Sequence, residues 1–233
     1  MVDAIPLSEK MRPANLEDFV GQENITGEES PLRTALKKGK LHSMILWGPP
    51  GSGKTTLAKI ISKEGSLPFH AISAVSSGVS EVRKILALAT KGGPIILFID
   101  EIHRFNKSQQ DSLLHSVEKG EIILIGATTE NPSFEVNNAL LSRCSVYTLK
   151  GLKKDHLKLI ANRALAQFYP DLKITEWETL LISSSGDARR MLNYIELASE
   201  LVSTKDQNLN NEIFRKVAES SSISYDKKGE KSL

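Results

Sequence analysis

Gly48-Pro49-Pro50-Gly51-Ser52-Gly53-Lys54-Thr55 is the stretch on which the fold turns. It satisfies Gly-x-x-x-x-Gly-Lys-Ser/Thr, follows an apolar run at 43–47 and opens a predicted helix over 53–63. Strand, glycine-rich loop and helix in that order build an anion site. The glycines let successive backbone N–H groups turn toward one point, and the helix adds the positive end of its dipole. Lys54 is spaced to reach the β- and γ-phosphates of a nucleotide, and the Thr55 hydroxyl to take a Mg²⁺ position. The expected ligands are ATP and Mg²⁺, with Gly48, Pro49, Pro50, Gly51, Ser52, Gly53, Lys54, Thr55 and Thr56 around them.

Outward from the loop, short apolar runs alternate with helical stretches, the pattern of an α/β domain with a parallel sheet. Strands are predicted at 43–47, 68–72, Ile95–Asp100, Ile122–Thr128 and 145–149. Helices are predicted at 53–63, 80–90, 107–119 and 134–141. Residues 95–99 and 122–125 are apolar at every position, which a strand covered on both faces requires. After Lys150 the spacing becomes helical, with Leu157, Ile160, Ala161, Ala164 and Leu165 on one face. Thr175-Glu176-Trp177-Glu178 fits a capping box opening a second helix. Asp187 opens a third, with Met191, Leu192, Ile195 and Ala198 on its stripe. The expected organisation is an αβα domain at 1–150, a small all-helical lid at 151–219, and an unpacked Ser/Lys-rich tail at 220–233.

Ile95-Ile96-Leu97-Phe98-Ile99-Asp100-Glu101 ends a buried strand in two carboxylates about fifty residues after the phosphate loop. Asp100 suits a metal position, and Glu101 can polarise a water for in-line attack on a γ-phosphate. Thr128, closing the next buried strand, can hydrogen-bond that water or the phosphate. Arg143 and Arg189 are candidates for a guanidinium brought to the phosphates, Arg143 toward a neighbouring subunit and Arg189 from the lid.

The rest of the composition excludes more than it suggests. The 233 residues are 40% hydrophobic and 25% charged with formal charge +2, an ordinary globular balance that does not announce a nucleic-acid surface. Cys144 is the single cysteine, so no intramolecular disulfide forms. The five histidines show no zinc-ligand spacing. No apolar run approaches membrane length and the N-terminus lacks a signal-peptide layout, so a cytoplasmic setting is expected.

Together these residues resemble the AAA+ ATPases, a P-loop NTPase fold. The resemblance makes Lys54/Thr55 the Walker A pair, Asp100/Glu101 the Walker B pair and Thr128 sensor 1. It makes Arg143 the trans-acting arginine finger and Arg189 sensor 2. Ser142-Arg143-Cys144 is similar to the clamp-loader signature. Met11-Arg12-Pro13 with Phe19-Val20-Gly21-Gln22 looks like the segment that wraps the adenine, which adds Arg12, Pro13, Val20 and Gly21 to the nucleotide set.

Two blocks, residues 100–110 and Gly126-Ala127-Thr128-Thr129-Glu130-Asn131-Pro132-Ser133-Phe134, resemble the replication-associated recombination protein A family rather than the Holliday-junction branch-migration ATPase. That resemblance implies a DNA-dependent ATPase at stalled or gapped forks, nucleoid-associated, with DNA ends or single-stranded gaps and single-strand binding protein as partners. By analogy with clamp loaders, DNA contacts fall on Lys107, Ser108 and the 76–78 turn. Tyr225-Asp226-Lys227-Lys228-Gly229-Glu230 resembles the start of the family's tetramerisation region, which the chain, stopping at Leu233, is expected to lack. Two other readings stay open: a nucleotide-gated adaptor with little turnover, and a clamp-loader subunit.

Overall fold

The apolar runs between residues 43 and 149 assemble into one five-stranded sheet. The computed structural model describes residues 5–202 and 207–229, the side chains of Val79, Thr90, Lys91 and 221–229 excepted. In chain order the elements begin with α1 (Leu7–Lys10), α2 (Glu23–Thr26), α3 (Pro31–Lys37), β1 (Met44–Trp47), α4 (Lys54–Glu64), β2 (Phe69–Ser73), α5 (Val79–Gly92) and β3 (Ile95–Asp100). A 3-10 turn (Ile102–Arg104) leads to α6 (Lys107–Glu118), β4 (Ile122–Thr128), α7 (Pro132–Glu135), α8 (Asn138–Leu141) and β5 (Ser145–Thr148). Then come α9 (Lys154–Phe168), β6 (Lys173–Ile174), α10 (Glu178–Ser184), α11 (Ala188–Leu201), β7 (Asn208–Leu209) and α12 (Asn211–Gly229).

The sheet order is β2-β3-β4-β1-β5, with every neighbouring pair parallel. Alternate residues of β3 feed separate cores. Ile95, Leu97 and Ile99 pack with Val82 and Ile85 of α5 and Leu113 of α6. Ile96 and Phe98 pack with Leu32 of α3 and Leu57, Ile60 and Ile61 of α4. Both faces are dry, which is why the run has no polar alternation. The strands' carboxyl ends therefore share one open edge, where ligands of parallel α/β sheets sit.

The chain divides into two units, one of residues 13–150 and one joining residues 5–12 to 151–229. The expected boundary at residue 1 is corrected by Leu7, which is buried in the second unit's core and donates its N–H to Glu196 Oε1 at 3.0 Å. The predicted helix over 134–141 is two short ones. Asn131 accepts from Ser133 N and Asn137 from Leu140 N, so each asparagine caps its own start. Val136 between them is extended (φ −101°, ψ 136°).

The second unit is not all-helical, because β6 and β7 pair in parallel. Thr175 consequently forms no capping box: its N–H and hydroxyl both reach the Leu209 carbonyl, at 3.0 and 3.4 Å. The Thr179 N–H of α10 is satisfied instead by Asn211 Oδ1 at 2.9 Å, and Glu176 Oε2 accepts from Asn211 N. Asp187 does cap α11, its carboxylate accepting from Arg190 N at 3.0 Å. The α12 backbone stays helical to Gly229, past the start expected for an unpacked tail; the packing of residues 221–229 and all of 230–233 lie outside the described residues. No described helix is long and apolar enough to cross a membrane.

Gly126 in β4 exposes one packing limit. A Cβ there would lie 2.8 Å from Ile45 Cδ1 and 2.9 Å from Ile102 Cδ1. Gly126→Ala should therefore destabilise the chain by about 1–3 kcal/mol through overpacking. Urea unfolding would show this as a lower midpoint at unchanged slope.

Candidate nucleotide-binding and hydrolysis site

The phosphate loop is tied to the end of β4 before it begins to turn. The Gly48 N–H donates to the Thr128 carbonyl at 3.1 Å. A Cβ on Gly48 would sit 2.3 Å from the Leu149 carbonyl oxygen, so this residue is glycine because β5's exit passes too close for anything else. Gly53 is glycine for a second reason. Its φ is +99°, and a Cβ would meet the Phe19 ring at 2.7 Å. Gly53 is also the N-cap of α4 and supplies no side-chain cap, leaving the helix's first N–H groups to an anion at the loop.

Lys54 is buried to 8% exposure, its Nζ donating to the Gly48 and Pro49 carbonyls at 2.6 and 3.0 Å. Ser52 Oγ donates to Pro49 O at 2.8 Å and braces the turn. Pro49 and Pro50 are exposed at the loop's crest, Gly51 is half-buried, and Thr55 and Thr56 are half-buried in the first turn of α4.

The register Trp47↔Thr128 and Ile99↔Gly126 brings the ends of β1, β4 and β3 to one level. Asp100 is half-buried there. Glu101 leaves the strand in the left-handed region (φ 55°, ψ 47°), a conformation that costs a non-glycine residue ~1 kcal/mol or more and clusters at functional sites. Its Oε2 is buried and makes no hydrogen bond, though it approaches His103 Nδ1 at 3.2 Å. Thr128 is fully buried. Its Oγ1 contacts His103 Nδ1 at 3.0 Å, accepts from Glu130 N at 3.0 Å and donates to Glu130 O at 3.3 Å.

His103 and Gln22 escape a reading of the sequence alone. His103 returns over β4 only because the 3-10 turn folds it back. Gln22, left-handed at φ 64°, bonds both backbone groups of Lys150: Nε2 to the carbonyl at 2.6 Å and Oε1 from the N–H at 2.9 Å. It also lies 3.5 Å from the Ser52 carbonyl, joining the Val20-Gly21-Gln22 segment to the loop. The one available signal is that the segment matches the adenine-wrapping pattern; nothing local shows its bonds to Lys150, 128 residues on.

The arginines fall in both units, Arg143 in the α/β unit and Arg12 and Arg189 in the helical one. Arg143 precedes β5, at the amino end of the sheet opposite the phosphate loop. Its Nη2 pairs with Glu118 Oε1 at 2.5 Å, and Nη1 donates to Ala139 O. Arg189 is exposed in the first turn of α11, in the helical unit. Arg12 belongs to that unit too and pairs with Glu9, whereas Pro13, Val20 and Gly21 lie in the α/β unit. Lys107 and Ser108 are exposed at the start of α6, beyond an Asn106–Gln109 capping box. Ser76 and Gly78 are exposed after β2, with Ser77 half-buried.

The residues fit a nucleotide with Mg²⁺. Thr55 and Asp100 offer hard oxygen donors, and among the described residues no cluster of three or more His, Cys, Asp or Glu could hold a metal by itself. Mg²⁺ characteristically takes one or two carboxylates and completes its shell with phosphates and water.

Residues 44–152 match the family described as ATPase family associated with various cellular activities (AAA), and residues 170–232 match the AAA C-terminal domain. The chain belongs to the AAA ATPases, a family of ATP-hydrolysing enzymes, and among them to the replication-associated recombination protein A family. It is 51% identical to that protein of Coxiella burnetii over 85% of this chain and 47% of the relative. Against that of Escherichia coli K12 it is 42% identical over 97% and 54%. The chain spans about half the length of the curated relatives it matches. Among solved structures, the Thermotoga maritima RuvB Holliday junction branch migration motor superimposes with TM-score 0.76 at 32% identity, over 90% of this chain and 72% of that one.

Two measurements probe this geometry. Lys54→Ala removes a charged donor, worth ~1.5–3 kcal/mol, and should weaken ATP binding roughly 10- to 100-fold by calorimetry. Burial pushes the Cys144 thiol from 9.0 to about 12. It leaves ~10³-fold less thiolate than an ordinary cysteine, so native alkylation by iodoacetamide at pH 8 should be far slower than in urea.

Proposed function

We propose that this chain is the nucleotide-hydrolysing part of a DNA-dependent ATPase. It acts at stalled or gapped replication forks in recombination and repair, and couples hydrolysis to remodelling of the DNA. The observation that carries the catalytic reading is the meeting of phosphate loop, carboxylates and Thr128 at one sheet edge, held by the Gly48–Thr128 backbone bond. The replication and recombination setting is supported by the names of the family relatives, and the fork and the DNA dependence are what the family resemblance implies.

In this reading the loop N–H groups and Lys54 hold the β- and γ-phosphates. Mg²⁺, held by Thr55 and Asp100, would neutralise charge developing between those phosphates. Glu101 takes the proton of the attacking water, and Thr128 orients that water or the γ-phosphate. Arg12, Pro13, Val20 and Gly21 receive the adenine. Arg189 reads the γ-phosphate from the lid. Arg143, at the sheet's far end, serves the site of a neighbouring subunit in a homo-oligomer. Lys107, Ser108 and the 76–78 turn meet DNA, single-strand binding protein is a partner, and the compartment is the cytoplasm at the nucleoid.

The test is steady-state ATPase with and without single-stranded and forked DNA, with Glu101→Gln and Arg143→Ala alongside. DNA should raise the rate, Glu101→Gln should abolish it, and Arg143→Ala should lower it by ~10³–10⁵. Tight ATP binding with negligible turnover on any DNA would instead favour the nucleotide-gated adaptor. Stoichiometric sliding-clamp binding would favour a clamp-loader subunit.

A further inference from the structure

His103 has no role in the scheme above, yet it stands between two residues that do. Its Nδ1 is 3.0 Å from Thr128 Oγ1 and 3.2 Å from Glu101 Oε2. A threonine hydroxyl has one proton and two lone pairs. In Thr128 one lone pair accepts the Glu130 N–H, and the Glu130 carbonyl at 3.3 Å is an acceptor for the proton. With that proton on the Glu130 carbonyl, the lone pair left over faces His103 at 3.0 Å, and Nδ1 is taken as the ring nitrogen that carries hydrogen. The same nitrogen faces Glu101 Oε2, the buried side-chain polar atom among the described residues that makes no hydrogen bond. A desolvated carboxylate oxygen without a donor is an unfavourable arrangement, and a donor lies within a small ring rotation of it. The turn itself is fixed, because Ile102 is fully buried and fills the space that Gly126 leaves open.

We propose that His103 is a positioning residue that shares a single N–H between Thr128 and Glu101. With the N–H on Thr128, Glu101 is unsupported. When a γ-phosphate engages Thr128, the N–H passes to Glu101 Oε2 and fixes the carboxylate with Oε1 free to accept the water's proton. His103 thus links detection of the phosphate to orientation of the base. This rests on the reading of Glu101 as base and Thr128 as sensor given above.

The imidazole can be followed directly. With five histidines in the chain, ¹⁵N-labelled ring signals are few enough to assign by single replacement. His103 is expected in the Nδ1–H tautomer, shifting when a non-hydrolysable ATP analogue and Mg²⁺ are added. In Thr128→Val that shift should be present before nucleotide. An Nε2–H tautomer, or a signal indifferent to nucleotide, overturns the proposal whatever the turnover.

Kinetics supply the second reading. His103→Ala and His103→Gln should lower kcat roughly 10- to 100-fold while the ATP Kd stays within about twofold, the range for loss of an orienting partner. His103→Asn, whose amide nitrogen falls where Nδ1 was, should recover most of the rate. A Kd that moves with kcat, or an Asn variant as slow as Ala, marks a merely structural role and sinks the idea. Unchanged turnover in His103→Ala with none in Glu101→Gln refutes this proposal alone. Turnover retained in Glu101→Gln refutes the parent reading.

Discussion

The hydrogen bond from Gly48 N–H to the Thr128 carbonyl, with the Leu149 carbonyl pressed against the Gly48 Cα, sets the frame for the rest. Three strand ends meet there, and β1 lies between β4 and β5 with no slack on either side. Because the strands are parallel, everything that leaves their carboxyl ends leaves on the same edge. The loop, Asp100, Glu101 and Thr128 are thus fixed relative to one another by backbone, not by flexible side chains. Such preorganisation lets fixed dipoles stabilise charge without reorganising at the moment of reaction.

The polar groups on that edge are unevenly satisfied, and the unevenness is informative. Lys54 is supported by carbonyls of its own loop, and Thr128 uses every hydrogen-bonding position it has. Glu101 is the exception, with a left-handed backbone and a buried oxygen lacking a donor. A fold that satisfies its neighbours and leaves one carboxylate oxygen without a donor has placed its strain at the residue proposed as the base.

One solved motor that resembles this chain, Thermotoga maritima RuvB, is named for Holliday junction branch migration, while the curated relatives are named for replication-associated recombination. The superposition reports a shared fold, and a fold does not choose between DNA tasks. Arg143 illustrates the point. Its position at the amino end of the sheet, paired with Glu118, sets it apart from this chain's own phosphate loop, which is why it is proposed for a neighbouring subunit's site.

The sequence by itself determined the phosphate loop, the two-faced strands and the carboxylates at 100 and 101, because each is a local pattern with one physical reading. An unbroken apolar run such as residues 95–99 must be covered on both sides, and a glycine-rich turn between strand and helix must face an anion. It misread what depended on distant partners. Thr175 looked like a cap but pairs with Leu209, and the cap of α10 came from Asn211. Residues 5–12, adjacent in sequence to the α/β unit, pack with helices nearly two hundred residues away through Leu7 and Glu196. Only the tertiary structure decided that His103 touches both Glu101 and Thr128 and that Gln22 holds Lys150. Such contacts are set by strand order and turn geometry, which bring together side chains that no sequence spacing relates.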